Sequence, residues 1–259
     1  MATMQVFSHY FVLPLARRLN WRSFCEIGAQ YGKNVDEILS QPLDNYTVID
    51  PCIDEDLHTK YANDPRVRVL RSNSLDALAS GGPIPDGSAF DCILIDGDHN
   101  WYTVFNELRL LHERSLLRPG GYVFLHDVGW PYGRRDLYYQ PKSIPAEFRR
   151  PYAKKGMARG ESALLESGGT NAEFMNALEE GGPRNGVLTA VEDFLAAHPV
   201  QYRFCQVRYQ CGFGILQRRS KALGSHLSFA GLHTKAMACE IIWPQISAAK
   251  HAVKRWSSS

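Results

Sequence analysis

Several absences narrow this chain before any motif does. Its six cysteines, Cys25, Cys52, Cys92, Cys205, Cys211 and Cys239, include no C-x-x-C pair. Zinc-ribbon and thioredoxin-like readings therefore fall away, and a reduced, cytoplasmic protein is the simplest expectation. No apolar stretch approaches the ~20 residues that span a bilayer. Near the N-terminus, Phe7, Phe11, Val12 and Leu13 are interrupted by His9 and Pro14. No small-residue cleavage site follows, so no secretory leader is expected. There is no excess of either charge: 29 Lys and Arg against 27 Asp and Glu give +2. That total offers nucleic acid no electrostatic hold, and none is expected as a partner. Internal repeats and low-complexity tracts are also missing.

What is present suits an ordinary soluble enzyme, with 44% hydrophobic and 22% charged residues in 259. That length allows one large domain or two small ones. The most informative stretch is 90–99, Phe-Asp-Cys-Ile-Leu-Ile-Asp-Gly-Asp-His. Its apolar run predicts a strand buried on both faces. The polar cluster that follows falls at the strand's carboxyl end, where open α/β sheets bind ligands. A second run, 122–125, ends the same way in His126 and Asp127.

Taken in order, 4–20 reads as a short amphipathic helix. Strands are expected at 23–27, 46–50, 67–70, 92–95 and 122–125, with helices near 34–39 and 101–116. Short strand–helix alternation argues for a parallel sheet with helices on both faces. The alternation breaks at Trp130. Residues 130–186 read as a long irregular insertion rich in turn formers, with Trp130, Tyr132, Tyr138, Tyr139, Arg134 and Arg135. Such an insertion directly after a catalytic strand end suits a lid or substrate-binding segment; Arg134 and Arg135 in it suit surface ion pairs. A helix is expected at 187–197, then two strands within 202–216 joined by a turn too short for anything but an antiparallel hairpin. This divides the chain into a catalytic domain at 1–219 and a basic helical tail at 220–259. In the tail, Phe229, Leu232, Met237, Ile241 and Ile242 could line one helix face, interrupted at Pro244. The ordinary expectation is docking on the core or on a second subunit, giving a homodimer. Trp243, Lys250, Lys254, Arg255 and Trp256 raise peripheral membrane contact as the sharper reading.

Between the first strand and helix lies Glu26-Ile-Gly28-Ala-Gln-Tyr-Gly32. Glycines there permit a tight turn and close approach of a ligand to backbone. The dinucleotide fingerprint G-x-G-x-x-G is not met, because Gln30 holds the middle glycine position and Glu26 would set an anion against any phosphate. A carboxylate beside a glycine turn better suits a cationic or amino-bearing cofactor. Asp50, closing the second strand, is placed to accept hydrogen bonds from a ribose diol.

With these residues in hand, the chain resembles the class I S-adenosylmethionine-dependent methyltransferases over roughly 20–127 and 187–217. The likeness implies a Rossmann-like, seven-stranded, mostly parallel sheet with a C-terminal antiparallel hairpin. It implies that the glycine loop, with Glu26, Gly28, Gln30 and Gly32, holds the methionine part of the cofactor. Asp50 would hold the ribose, Ser74 and Leu75 would contact adenine, and Asp96 would also face the cofactor. Ile95-Asp-Gly-Asp-His99 and Pro119-Gly-Gly-Tyr-Val-Phe-Leu-His-Asp127 are further similar to metal-dependent O-methyltransferases of sugars and natural products. That resemblance implies a divalent metal on Asp96 and Asp127, with Asp98 or His99 as general base and a small hydroxyl-bearing acceptor. His126 stands where those relatives carry a second acid. Mg²⁺ prefers an all-oxygen shell, so a His126 ligand tilts the site toward Mn²⁺, Fe²⁺ or Zn²⁺. Structural readings compete: Asp96 as a helix cap, Asp98 as a turn former, His99 and His126 as packed rings. The functional alternatives are a cephalosporin-hydroxylase-like oxygenase on the same scaffold, an N- or C-methyltransferase without metal, and a non-catalytic cofactor-binding partner.

Overall fold

A computed structural model describes residues 3–222 and 225–239. The helical N-terminus is made of α1 (Met4–Phe7), a π turn at Ser8–Val12 and α2 (Leu13–Leu19). Then β1 (Ser23–Ile27), α3 (Val35–Leu39), β2 (Asn45–Ile49), α4 (Glu55–Tyr61), β3 (Val67–Leu70) and α5 (Ser74–Leu78) alternate. They are followed by β4 (Phe90–Ile95), α6 (Trp101–Glu113) and β5 (Leu117–His126). After an insertion come α7 (Val187–Ala197), β9 (Tyr202–Val207) and β10 (Phe213–Arg218). The main sheet has seven strands in the order β3-β2-β1-β4-β5-β10-β9. β1 to β5 pair in parallel, and β10 runs antiparallel to both β5 and β9. The expected mostly parallel sheet with a terminal hairpin is thus observed.

Period-two alternation in the strands explains why both faces are covered. Phe24, Tyr46, Leu94, Tyr122 and Phe124 point to one core, shared with Phe7, Phe11, Val35, Ile38 and Leu57 from the helices. Cys25, Ile49, Ile93, Ile95, Val123 and Leu125 point to the other, shared with α5, α6 and α7. In the first core, Phe7 stacks on Phe213 at 4.5 Å and Phe213 on Phe124 at 5.5 Å, fixing the N-terminal helix over the centre of the sheet.

Three local expectations shift. The strand expected at 122–125 begins earlier, so that Arg118-Pro-Gly-Gly lies within β5, beside a register irregularity between Phe90 and Cys92. The 130–186 insertion is not wholly irregular. It carries β6 (Leu137–Tyr138), β7 (Tyr152–Lys154) and β8 (Met175–Ala177) in an antiparallel sheet of order β6-β8-β7. Strands of two or three residues leave too little alternation to register in the sequence. Arg134 does pair with Glu192, at 2.6 Å, but Arg135 is fully buried and donates to the carbonyls of Ala177 and Ser162. In the C-terminal helix at 225–239, Ser228, Leu232 and Ala236 face inward, whereas Met237 is 58% exposed. Ile241, Ile242 and the expected membrane-facing residues lie outside the described ones. No helix among the described residues is long and apolar enough to cross a membrane.

Glu107 sits on the buried face of α6 at 0% exposure. Burial pushes its pKa up from 4.5 to about 8. The folded chain therefore keeps a proton that the unfolded chain loses above its ordinary value, and stability falls as pH rises through that interval. Thermal melts between about pH 6 and about pH 8.5 should show a declining Tm. Glu107→Gln should flatten the decline; an identical slope in the variant would contradict the assignment.

Candidate active site

Strand register brings the ends of β1, β4 and β5 together. β4 pairs Ile95 with Leu125 of β5, so Asp96 and His126 leave the sheet as neighbours. β1 pairs Ile27 with Ile95, which brings Gly28 against Asp96. Asp127 adopts a left-handed turn at φ 58°, a conformation that Asp and Asn tolerate better than most residues. Its Oδ2 lies 2.7 Å from His126 Nδ1 and 3.0 Å from His99 Nε2. Asp96 Oδ1 lies 3.1 Å from His126 Nδ1 and 3.5 Å from His99 Nε2. One donor atom from each of Asp96, His99, His126 and Asp127 falls within 4.8 Å of all the others.

Burial by itself would raise both carboxyls and disfavour both imidazoliums. The mutual attraction of the four groups overrides it. Asp96 and Asp127 are held below the ordinary carboxylate range by the two histidines, and His99 and His126 are raised well above theirs by the two acids. The chemistry of this donor set, two nitrogens and two oxygens converging from two strand ends, fits a divalent metal.

Asp98 stands apart from the four. Its Oδ2 accepts from the Thr103 hydroxyl at 3.0 Å, across the start of α6, where Asn100 is the cap and accepts from Thr103 N–H at 2.9 Å. Asp98 nevertheless faces a cavity of about 650 Å³, as do Asp96 and His99. The same cavity is lined by Glu26, Gly28, Gln30, Asp50, Ser74 and Leu75. His126 and Asp127 are not among its lining residues and are buried, at 8% and 7% exposure. Gly32 is not among them either.

The glycine turn has a second reason beside the positive φ that its tight turn requires, 87° at Gly28 and 64° at Gly32. A Cβ on Gly28 would lie 2.3 Å from the Asp96 carbonyl oxygen, and one on Gly32 would lie 2.0 Å from Leu57 Cδ1. Both glycines make room for the chain's own packing. Glu26 is likewise tied inward, accepting from Asn34 Nδ2 at 3.0 Å and from the Tyr46 hydroxyl. Burial pushes its pKa up from 4.5 to about 7. Asp50 accepts from the backbone N–H of Gln30 at 2.8 Å and of Cys52 at 2.7 Å. Each of its oxygens keeps a second lone pair for a ligand hydroxyl.

Other lining residues escape sequence reasoning. Asn34 is 5% exposed, lines the cavity, and its Oδ1 is a buried acceptor with no partner among the described residues. Such an atom is costly unless a ligand N–H fills it, and an amino-bearing cofactor fits. Thr3, Met4 and Gln5 reach the cavity from the N-terminus, and Tyr139, Gln140 and Ser143 reach it from the insertion. The Tyr139 hydroxyl lies 3.3 Å from His99 Nδ1. The insertion is pinned there by buried Asp136, which accepts from Trp101 N–H at 2.7 Å and Gly186 N–H at 2.6 Å. Leu137 N–H also donates to the His99 carbonyl at 3.0 Å. Exposed aromatics in an insertion were the one available signal for Tyr139; nothing marked Asn34 or the N-terminal residues.

Comparison with known proteins adds an independent line. Residues 25–128 match a family model described as a methyltransferase domain. No curated protein matches the sequence significantly. Among solved structures, the chain is similar to the SAH-bound methyltransferase PaMTH1 of Podospora anserina. The two share 11% identity and a TM-score of 0.51, over 85% of this chain and 80% of that one. It is also similar to SAM-bound CalS10, an amino pentose methyltransferase from Micromonospora echinaspora, at 10% identity and TM-score 0.47, over 84% and 92%. A third is the 1,6-didemethyltoxoflavin-N1-methyltransferase of Burkholderia thailandensis, at 14% identity and TM-score 0.46, over 80% and 76%. At such identities the likeness to PaMTH1 speaks for the fold.

Proposed function

We propose that the methyltransferase domain matched at residues 25–128 moves the methyl group of S-adenosylmethionine onto a hydroxyl of a small acceptor, a sugar or natural product, with a divalent metal at the strand ends. The observation that carries this reading is one cavity shared by two sets of residues. Glu26, Gln30, Asn34, Asp50, Ser74 and Leu75 line it, and so do Asp96, Asp98, His99 and Tyr139.

Each side chain has a task that its chemistry suits. Asp50 takes the ribose hydroxyls. Asn34 Oδ1 receives an N–H of the cofactor's amino group, beside the Glu26 carboxyl. Ser74 and Leu75 border the adenine. Methyl transfer is an in-line displacement: the acceptor oxygen bonds to the methyl carbon as the sulfonium–carbon bond breaks, releasing S-adenosylhomocysteine and a proton. The protein gains rate by holding acceptor and methyl carbon in line and by taking that proton. Asp98 and His99 both face the space where the acceptor would sit. A divalent ion held by Asp96, His126 and Asp127 would lower the pKa of an acceptor hydroxyl. The insertion at 130–186, through Tyr139 and Gln140, forms the acceptor wall and acts as the lid.

Calorimetry with S-adenosylhomocysteine tests this reading. The native chain should bind it, and Asp50→Ala should weaken binding by roughly 10- to 100-fold, the loss of two hydrogen bonds to a charged acceptor. Absence of binding to the native chain would overturn the proposal. Two imidazoles beside carboxylates also form the donor set of non-haem iron oxygenases. An oxygenase on this scaffold is therefore the second reading, and it requires no affinity for S-adenosylhomocysteine.

A further inference from the structure

We infer that His99 is a ligand of the metal centre and not the base of the reaction, and that the complete set of two imidazoles and two carboxylates takes a first-row transition ion in preference to Mg²⁺. The inference rests on the metal-assisted reading above and assigns its fourth donor, its ion and, by elimination, its base.

The first argument is spacing. Metal–nitrogen and metal–oxygen bonds run about 2.0–2.2 Å. Neighbouring donors on one ion therefore sit about 3.0 Å apart at octahedral angles and about 3.4 Å apart at tetrahedral ones. The four imidazole–carboxylate separations are 2.7, 3.0, 3.1 and 3.5 Å. His99 contributes two of them and so belongs to the polyhedron as fully as His126 does.

The second argument is that both nitrogens of His99 are already engaged. Nε2 faces the carboxylates of Asp127 and Asp96, and Nδ1 faces the Tyr139 hydroxyl at 3.3 Å. The ring lies flat against Tyr132, with centroids 5.7 Å apart and planes 12° from parallel. An imidazole with one nitrogen toward the ion, the other hydrogen-bonded and its plane fixed by a neighbour is the arrangement of a ligating histidine. Asp98, with Oδ2 on Thr103, lines the cavity without joining the cluster. Its Oδ1 is the atom left to take the acceptor's proton.

The third argument is donor chemistry. Mg²⁺ holds to oxygen ligands and water, whereas imidazole suits later first-row ions such as Fe²⁺ and Zn²⁺, and affinity rises from Mn²⁺ through Fe²⁺ to Co²⁺. A second nitrogen strengthens that bias beyond what His126 alone would give.

The probe is Co²⁺, titrated into chelator-treated full-length protein and read by visible absorption, with Mg²⁺ as competitor. One Co²⁺ should bind per chain, and a roughly hundredfold excess of Mg²⁺ should not displace it. His99→Ala should weaken Co²⁺ at least about tenfold while still folding, as far-UV circular dichroism would show, and keeping its affinity for S-adenosylhomocysteine. Asp98→Asn should leave Co²⁺ affinity unchanged. The inference is overturned if Co²⁺ does not bind, if His99→Ala binds it undiminished, or if equimolar Mg²⁺ displaces it. S-adenosylhomocysteine binding, measured separately, reports on the methyltransferase reading, so either proposal can fail without the other.

Discussion

Replacing Asp127 with asparagine should lower kcat by roughly 10²- to 10⁴-fold, the range of a lost ionic group in a catalytic constellation, while the chain still folds. Asp127 is the hub of the cluster: its carboxylate meets both His126 and His99, at 2.7 and 3.0 Å. An amide presents one oxygen, no charge and a weaker donor to a metal. Asparagine is the informative variant because the backbone at Asp127 is left-handed, at φ 58°. Asn accepts that conformation, whereas alanine would add about 1–2 kcal/mol of strain. With Asp127→Ala, lost activity and lost stability would be confounded; with Asn they separate. Turnover and thermal melts on the same preparation check the prediction. A variant that keeps native turnover would show that Asp127 has only a structural part.

The second large effect is on the fold of the site. Gly28→Ala should destabilise the chain by about 3 kcal/mol or more and remove measurable cofactor affinity. The new Cβ would sit 2.3 Å from the Asp96 carbonyl oxygen and 2.5 Å from Gly97 Cα, both backbone atoms, at φ +87°. Backbone cannot swing aside as a side chain can, so the β1 and β4 strand ends must separate, and Asp96 moves with them. Gly87→Ala is the matched control. It has a similar φ of +82° but nothing among the described residues within 4 Å of the added carbon, so it should lose only the strain, about 1–2 kcal/mol. Chemical denaturation of the two variants measures the difference. Equal losses would mean that the steric contact with Asp96 carries nothing.

These expectations rest on features that were unequally legible in the sequence. The sheet was plain because buried parallel strands leave apolar runs that end in turn residues. The stretch before Asp96 and the one before His126 mark β4 and β5, and their shared edge follows from topology. The terminal hairpin was readable from a connection too short to cross over. The small sheet of the insertion was not, because β6 to β8 are too short to show a period. Asp96, His126 and Asp127 could be grouped from the sequence, since each follows a strand. His99's place among them could not: it depends on a loop path and on the rings of Tyr132 and Tyr139 that flank it. Asn34 was invisible because an Oδ1 without a partner among the described residues is a property of packing. The glycine loop illustrates the reverse. Gly28 and Gly32 could be read as glycines required by a turn, but what would collide with a side chain there is the protein itself.

Crystallographic density for S-adenosylhomocysteine bound to the full chain tests the central claim most directly. The account predicts the ligand in the cavity of about 650 Å³, its ribose on Asp50, its amino group against Asn34 and Glu26, and its sulfur directed toward Asp98 and His99. An empty cavity at saturating ligand, or a molecule bound elsewhere, would contradict it.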